Sequence, residues 1–262
     1  MSWRYNRSLL QQQQQSSAGG ITLPDAILAL NPVSYWPLND ATTTIEDLGS
    51  AGANGTAGVN VALRDVAGPD GESYARFPGG AAAAASHIQV PHHLGHRVST
   101  AAGLSVFALV RPTTYIIRQG VICKTPAPNG EWTLQLFGDT ASAGSLGFAT
   151  QLSNGNDARK LSGPASNVPI NQWSALAASV VNLTSFPNYL DRNDLAISTT
   201  TGGTGTGYTG INSTLQIGCG NGTFYNFQMT GAMAHVAIFA GVLSAGDWDT
   251  IWAAAAANGW YS

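Results

Sequence analysis

Leu104-Ser-Val-Phe-Ala-Leu-Val-Arg-Pro112 decides how the chain is read. Val106, Ala108 and Val110 alternate with their neighbours and stop at an Arg-Pro pair, a period-two pattern that predicts a half-buried antiparallel strand. The same grammar returns at Val121-Ile-Cys-Lys124, Trp132-Thr-Leu-Gln-Leu136, Trp173-Ser-Ala-Leu-Ala-Ala-Ser179, Leu215-Gln-Ile-Gly218 and Val236-Ala-Ile-Phe239, each run bounded by Gly, Pro, Asn or Asp. Many short strands separated by turn residues predict an all-β protein with two antiparallel sheets packed as a sandwich.

Composition narrows the function classes. A chain of 262 residues, 44% hydrophobic, is long enough for one large sandwich, since such folds run to roughly 200 to 250 residues as a single domain. Only 10% of residues are charged, the net charge is -3, and 31 glycines sit among Ala, Ser, Thr and Asn. The surface is therefore built from small uncharged groups, which argues against electrostatic capture of nucleic acid or an anionic membrane. No apolar run reaches the roughly 18 residues of a spanning helix. Met-Ser-Trp-Arg-Tyr-Asn-Arg lacks the apolar core and cleavage site of a secretory signal, so export by that route is not expected. Cys123 and Cys219 lie far apart in sequence and read as two free, buried thiols.

Residues 1–20 differ from the rest. Trp3, Arg4, Tyr5 and Arg7 come first, then Leu9, Leu10, five glutamines and a Ser-Ser-Ala-Gly-Gly break. A helix over Ser8 to Gln15 would be too short to stand alone. Aromatic and Arg residues are enriched at interface centres, so Trp3, Arg4, Tyr5 and Arg7 are expected to be docking anchors. Residues 21–262 form the sandwich domain. Thr22 caps a short helix with Pro24 in its first turn and Asn31-Pro32 at its end. Val33 to Leu38 is the first core strand, and Asp47 to Gly55 suits a tight loop. A closing helix starts at Ser244, with Trp248, Ile251 and Trp252 at i, i+3 and i+4 on one apolar face.

Taken in order, Asn31-Pro-Val-Ser-Tyr-Trp-Pro-Leu38, Phe77-Pro-Gly-Gly80, Ile88-Gln-Val-Pro91, Leu104 to Pro112, Cys123-Lys124, Gln172-Trp173, Leu215 to Gly218, Gly231 to Phe239 and Leu243-Ser-Ala245 resemble the laminin-G-like, concanavalin-A-like jelly-roll domains. The resemblance runs from about Leu23 to Ala257. Its amino end, a helix followed by Pro-Val-Ser-Tyr-Trp, is similar to that of tailed-bacteriophage virion proteins of tail tip, fibre and capsid decoration. Two departures stand out. Relatives carry an Asp-Glu pair where this chain has Ala234-His235, and an Asp-Gly hairpin where it has an excursion from Leu183 to Asp194.

The chemistry points away from catalysis. A retaining glycosidase needs two carboxylates about 5 Å apart, and Glu46, Glu72 and Glu131 are the only glutamates in the chain. Asp247 and Asp249 fall in a helix, where i and i+2 do not share a face. No catalytic residue is expected. His92-His93-Leu-Gly-His96 reads as surface histidines in a loop rather than a metal site, and His235 as a hydrogen-bonded, partly buried side chain. No cofactor is expected: relatives bind calcium through loop carboxylates, which the resemblance would assign to Asp40 and Asp47, but Ala234-His235 in place of the opposing acid leaves the ligand set short. Tyr208, Asn221, Tyr225 and Asn226, in the loops Thr200 to Asn212 and Gly220 to Phe227, offer an aromatic platform with amides for a glycan; the alternative is that the aromatics pack on the sandwich and the glycines make turns.

The resemblance therefore implies a non-enzymatic virion component, in first place a minor tail or fibre protein. Its arm would fasten it to other virion proteins, and a homo-oligomer would present the sandwich to host-surface carbohydrate, with no nucleic acid bound and no membrane insertion. A capsid decoration protein anchored by the same arm is the second expectation. A free carbohydrate-binding module or glycan-active enzyme is the third.

Overall fold

Regular structure begins and ends where the sequence caps it. In a computed structural model of the chain, the described residues are 20–79, 86–98, 102–115, 118–124, 131–138, 144–151, 157–162, 167–182, 189–194, 199–202, 213–220 and 227–261. Thr22, with extended backbone, accepts a hydrogen bond from the Asp25 N–H and opens helix α1 (Leu23–Ala29). Ser244 and Asp247 form a reciprocal capping box that opens α2 (Ala245–Ala257). Each cap satisfies backbone donors that the first helical turn leaves without partners.

Between the helices the strands are β1 (Ser34–Trp36), β2 (Thr44–Ile45), β3 (Gly55–Ala57), β4 (Ala62–Ala67), β5 (Ser73–Pro78) and β6 (Ile88–Val90), followed by β7 (Leu104–Pro112), β8 (Gln119–Lys124) and β9 (Trp132–Phe137). Then come β10 (Ser145–Gln151), β11 (Asp157–Ser162), β12 (Ser174–Val180), β13 (Tyr189–Arg192) and β14 (Thr199–Gly202). Last are β15 (Leu215–Ile217), β16 (Cys219–Gly220), β17 (Phe227–Gln228) and β18 (Thr230–Ala240). One sheet has the order β13-β12-β7-β18-β5-β4, with β1 also on β18; the other runs β14-β11-β10-β9-β8-β15-β6-β3-β2; β16 and β17 form a separate ribbon. All pairings are antiparallel, as a jelly-roll sandwich requires.

The strand that decided the fold is buried more completely than its alternation suggests. Every residue of β7 except Arg111 is buried. Val106, Ala108 and Val110 face the core between the sheets, with Trp36, Leu134 and Phe148. Phe107 and Leu109 face a second apolar layer built with Leu23, Ile27, Trp248 and Trp252. The half-buried expectation fails because both helices lie on the outer face of the seven-stranded sheet and cover it. Alternation along β7 sorts side chains between two cores, not between core and water. The excursion after β12 supplies the edge strand β13, where Tyr189 stacks on Trp248 with ring centroids 5.2 Å apart.

Cys123 and Cys219 are both buried and unbridged, and the Cys123 thiol donates to the Cys219 carbonyl at 2.8 Å. Among the described residues no helix is long and apolar enough to cross a membrane.

The second core gives a direct test. Phe107 is fully buried against Trp252, with ring centroids 5.9 Å apart. Phe107→Ala is expected to cost about 3–5 kcal/mol in urea unfolding, whereas a strand with a solvated outer face would lose little.

Candidate functional site

A β-bulge places the first polar feature. Pairing between β18 and β7 slips by one residue between Ala234 and Ala237. Met233 and Val236 consequently both remain in the intersheet core, while His235, at φ 48°, is displaced to the helix side. A non-glycine residue there costs on the order of 1–3 kcal/mol and persists only when its surroundings hold it. Here the His235 N–H donates to the Pro37 carbonyl at 3.1 Å, and the ring is buried under Trp260.

The imidazole is bonded at both nitrogens. Nδ1 lies 2.6 Å from the Tyr35 hydroxyl and Nε2 lies 3.0 Å from that of Tyr74. Tyr74 gives its own proton to Asp70 Oδ2 at 2.5 Å, so its oxygen accepts from Nε2–H and Tyr35 donates to Nδ1. A single neutral tautomer satisfies the whole chain. Burial holds His235 below its ordinary pKa against the pull of Asp70. Burial, with Asp70 beside them, pushes both tyrosines up. Burial disfavours the charge on Asp70, but hydrogen bonds from His235 and Tyr74 prevail and keep its carboxyl below the usual range.

This relay floors a cleft of about 290 Å³ between α1, the segment 39–48 and the turn before β5. Asp40, Glu46, Asp70 and Glu72 line it, with no Lys or Arg among its lining residues. The floor keeps its protons for internal bonds, so what the cleft offers a ligand is carboxylate acceptors. It suits hydroxyl or ammonium donors and disfavours anions.

The two acids that the resemblance would assign to calcium are separated by role. Asp40 lines the cleft; its Oδ1 accepts from the Glu46 N–H at 3.0 Å, and its Oδ2 is buried without a partner. Asp47 is buried, with Oδ1 accepting from the N–H groups of Tyr35 and Gly49 and Oδ2 from that of Ala53. Its carboxylate ties the 47–54 loop to β1, which occupies the oxygens a cation would need. Among the described residues no group of three or more His, Cys, Asp or Glu is placed to hold a metal ion.

A second polar surface covers the outer face of the nine-stranded sheet. Ile88, Val90, Leu215, Ile217 and Leu134 point into the core, so the residues between them point out. Strand register aligns Thr44, Thr56, Gln89, Gln216, Cys123 and Thr133 in one row across six strands, about 24 Å at ~4.8 Å per strand. The row carries hydroxyls, amides and a thiol but no charge. It is exposed at Thr44, Thr56 and Gln89 and buried at Gln216, Cys123 and Thr133. The Thr133 hydroxyl is buried and has no hydrogen-bond partner. Tyr208, Asn221, Tyr225 and Asn226 lie outside the described residues, in segments that follow β14 and β16, and the docking residues Trp3, Arg4, Tyr5 and Arg7 lie outside them as well.

The His92–His96 cluster is a loop ending in a 3-10 turn at Leu94–His96, but its three rings have three destinations. His92 Nδ1 sits 3.1 Å from Lys124 Nζ, and His93 Nδ1 accepts from the Gly95 N–H. His96 is not at the surface: it is fully buried, with Nε2 2.7 Å from the Ser34 hydroxyl. Burial pushes its pKa down to about 3. Lys124, also fully buried, donates to the Ser213 carbonyl, and burial brings its pKa down to about 8. Sequence reasoning missed the Tyr35–His235–Tyr74–Asp70 relay, whose one flag was the unusual His235.

The relay and His96 make stability pH-dependent. Both histidines have folded pKa values below the 6.5 of the free side chain. The unfolded chain therefore takes up protons first, so stability is full above about pH 6.5 and is lost as pH falls below it, by up to about 1.4 kcal/mol per pH unit per histidine. Urea unfolding of wild type and His96→Gln between pH 7.5 and 4.5 should show a shallower loss in the variant, a difference in which the contributions of Asp70 and Glu131 cancel.

A family model described as the concanavalin A-like lectin/glucanases superfamily matches residues 82–247, and the chain belongs to that superfamily. Among solved structures, the binding domain of botulinum neurotoxin serotype G superposes with a TM-score of 0.62 at 14% identity, over 85% of this chain and 50% of that one. The binding domain of Paraclostridial mosquitocidal protein 1 gives 0.61 at 16%, over 85% and 52%. Domain 4 of AbnA, an extracellular GH43 arabinanase from Geobacillus stearothermophilus in complex with arabinotriose, gives 0.59 at 18%, over 86% and 98%. At these identities the likeness is one of fold, and the chain spans about half the length of the two toxin domains. A comparison with curated proteins finds no match.

Proposed function

We propose that this concanavalin A-like chain is a non-catalytic binding protein that takes a neutral glycan across the outer face of its nine-stranded sheet. The observation that carries this reading is the uncharged row that begins at Thr44 and is exposed at Thr44, Thr56 and Gln89. Amides and hydroxyls at fixed spacing on a broad surface match the hydroxyl pattern of a sugar chain. The arabinotriose complex of the arabinanase domain shows a sugar on a related fold.

The carboxylates support binding rather than hydrolysis. Glu131 is committed to an ion pair with Arg97 at 2.9 Å. Glu46 and Glu72 line the cleft beside α1. Among the described residues the row itself holds no carboxylate, and so no pair at the spacing a glycosidase needs. The protein is placed on a phage particle, as a homo-oligomeric tail or fibre component docked by Trp3, Arg4, Tyr5 and Arg7. Support for this placement is the helix followed by Pro32-Val-Ser-Tyr-Trp36, which folds as α1 leading into β1.

Gln89→Ala is the informative variant, because it removes an exposed amide from the accessible stretch of the row. Its stability should stay within about 0.5 kcal/mol of wild type, and its affinity for the best neutral glycan of an array should fall at least tenfold. A wild type that binds no neutral glycan, or a variant that binds as well, would overturn the reading. For the placement, immunogold labelling of particles against residues 21–262 should decorate the tail. Gold over the head would make this a capsid decoration protein, and particles without gold would leave a free sugar-binding module.

A further inference from the structure

We infer a second ligand site, for a uronic-acid sugar, in the groove where Trp173 and Arg111 meet on the helix side of the seven-stranded sheet. It takes its ligand class from the sugar-binding reading, but it lies on the opposite face of the sandwich from the Thr44–Thr133 row.

The site follows from register. Ser174 pairs with Val110, so the next step sets Trp173 opposite Arg111. Val110 points into the intersheet core, so Arg111 and Trp173 point outward. Opposed residues on one face of an antiparallel pair sit with Cβ atoms about 4.5–5.5 Å apart. On the other side of Arg111 the row continues through Ala232 to Arg76, and the small Ala232 leaves the floor low between two arginines. The resulting open groove measures about 540 Å³, and its far wall is the end of β4 with Gly68 and Pro69. Gly68 is required there: a Cβ would come within 2.5 Å of the Tyr74 ring.

The two recognition groups are set before any ligand arrives. Trp173 donates its indole N–H to the Ala67 carbonyl at 3.4 Å and meets Tyr74 and Trp260 edge to face, at 6.1 and 5.1 Å between centroids. It remains partly exposed. Arg111 donates Nε–H to the Asn171 carbonyl at 3.1 Å, which fixes the plane of the guanidinium. Among the described residues its two terminal nitrogens have no partner. Asp65, the acid of the groove, is already paired with Arg76, so Arg111 is the charge left uncompensated.

An indole beside a guanidinium with two free donors calls for a ring with an apolar face and a carboxylate in reach of it. The indole takes the C–H face of a pyranose, and the guanidinium takes a carboxylate in two parallel hydrogen bonds. A uronic acid supplies both on one ring. A neutral sugar leaves Arg111 unpaired, and a bare phosphate has no face for Trp173.

Calorimetric titration of the full chain with trigalacturonate and with uncharged galactotriose tests this. Trigalacturonate should bind wild type at least tenfold more tightly, and more weakly as salt rises. Arg111→Gln should abolish that preference at an unchanged melting temperature. Arg111→Lys, which keeps the charge but loses the fork, should fall between the two and serves if the Gln variant does not fold. Gln89→Ala should leave trigalacturonate binding intact. No trigalacturonate binding, equal affinity for the two sugars, or undiminished preference in both Arg111 variants would overturn the site. Loss of trigalacturonate binding in Gln89→Ala rather than in Arg111→Gln would overturn it too, while leaving the sheet-face reading standing. Loss in Arg111→Gln with no neutral glycan bound by wild type would support the groove and sink the sheet-face reading.

Discussion

A β-sheet with two apolar faces must be covered twice, and the seven-stranded sheet of this protein is such a sheet. Its inner face packs on the nine-stranded sheet through residues such as Val106 and Val110, while its outer face carries Phe107, Leu109, Phe239 and Tyr74. Left in water, each large apolar side chain of that face would forfeit about 1.5–3 kcal/mol. The two helices meet that demand with Leu23, Ile27, Trp248, Ile251 and Trp252. They come from opposite ends of the described chain, and the Leu23 N–H donates to the Asn258 side chain to join them. Both helices lie on the other sheet, so the outer face of the nine-stranded sheet is left exposed and polar at Thr44, Thr56 and Gln89. The location of the uncharged row thus follows from which sheet the helices cover.

The bulge at His235 works within the same constraint. Without the extra residue, the side chains of β18 after Ala234 would alternate to the wrong faces, and Val236 and Ile238 would leave the core. With it, one polar residue is delivered into an otherwise apolar layer. A buried imidazole is costly unless both nitrogens are bonded, and Tyr35 and Tyr74 come from two other strands to bond them. Asp70 at the rim accepts the last proton of the chain and connects the buried relay to the cleft. Strained backbone and buried polarity are therefore held in one place by the aromatic groups around it.

What was legible in the sequence is what depends on neighbours in the sequence. Thr22 and Ser244 announce helix starts because a cap bonds residues two or three positions on. Strand positions follow from period-two patterning for the same reason. Phe107 and Leu109 were present in that pattern, but alternation does not reveal whether the second face meets water or helices. The relay was hidden because its members lie 200 and 161 positions apart. Asp47 stands in a glycine-rich loop as a calcium ligand would; it also stands there as an acceptor for loop N–H groups, and only geometry separates the two. Arg111 and Trp173 were both in view as strand ends, yet their pairing depends on a register that no local pattern states.

The helix-side surface sorts charge across a very short distance. The turn from Gly68 to Gly71 divides two hollows: Asp70 and Glu72 line one, Gly68 and Pro69 wall the other. Tyr74 touches both, meeting His235 on one side and Trp173 on the other. An arginine near an uncompensated carboxylate would ordinarily close onto it, as Arg76 does with Asp65. Arg111 makes no such pair among the described residues: its Nε–H donates to the Asn171 carbonyl, while Asp70 accepts from the Tyr74 hydroxyl. Each charge is thus oriented by a neutral partner within its own hollow. Tyr74 belongs to the second core and Trp173 packs against it, so the setting of both hollows is a consequence of how the outer face of the sheet is buried.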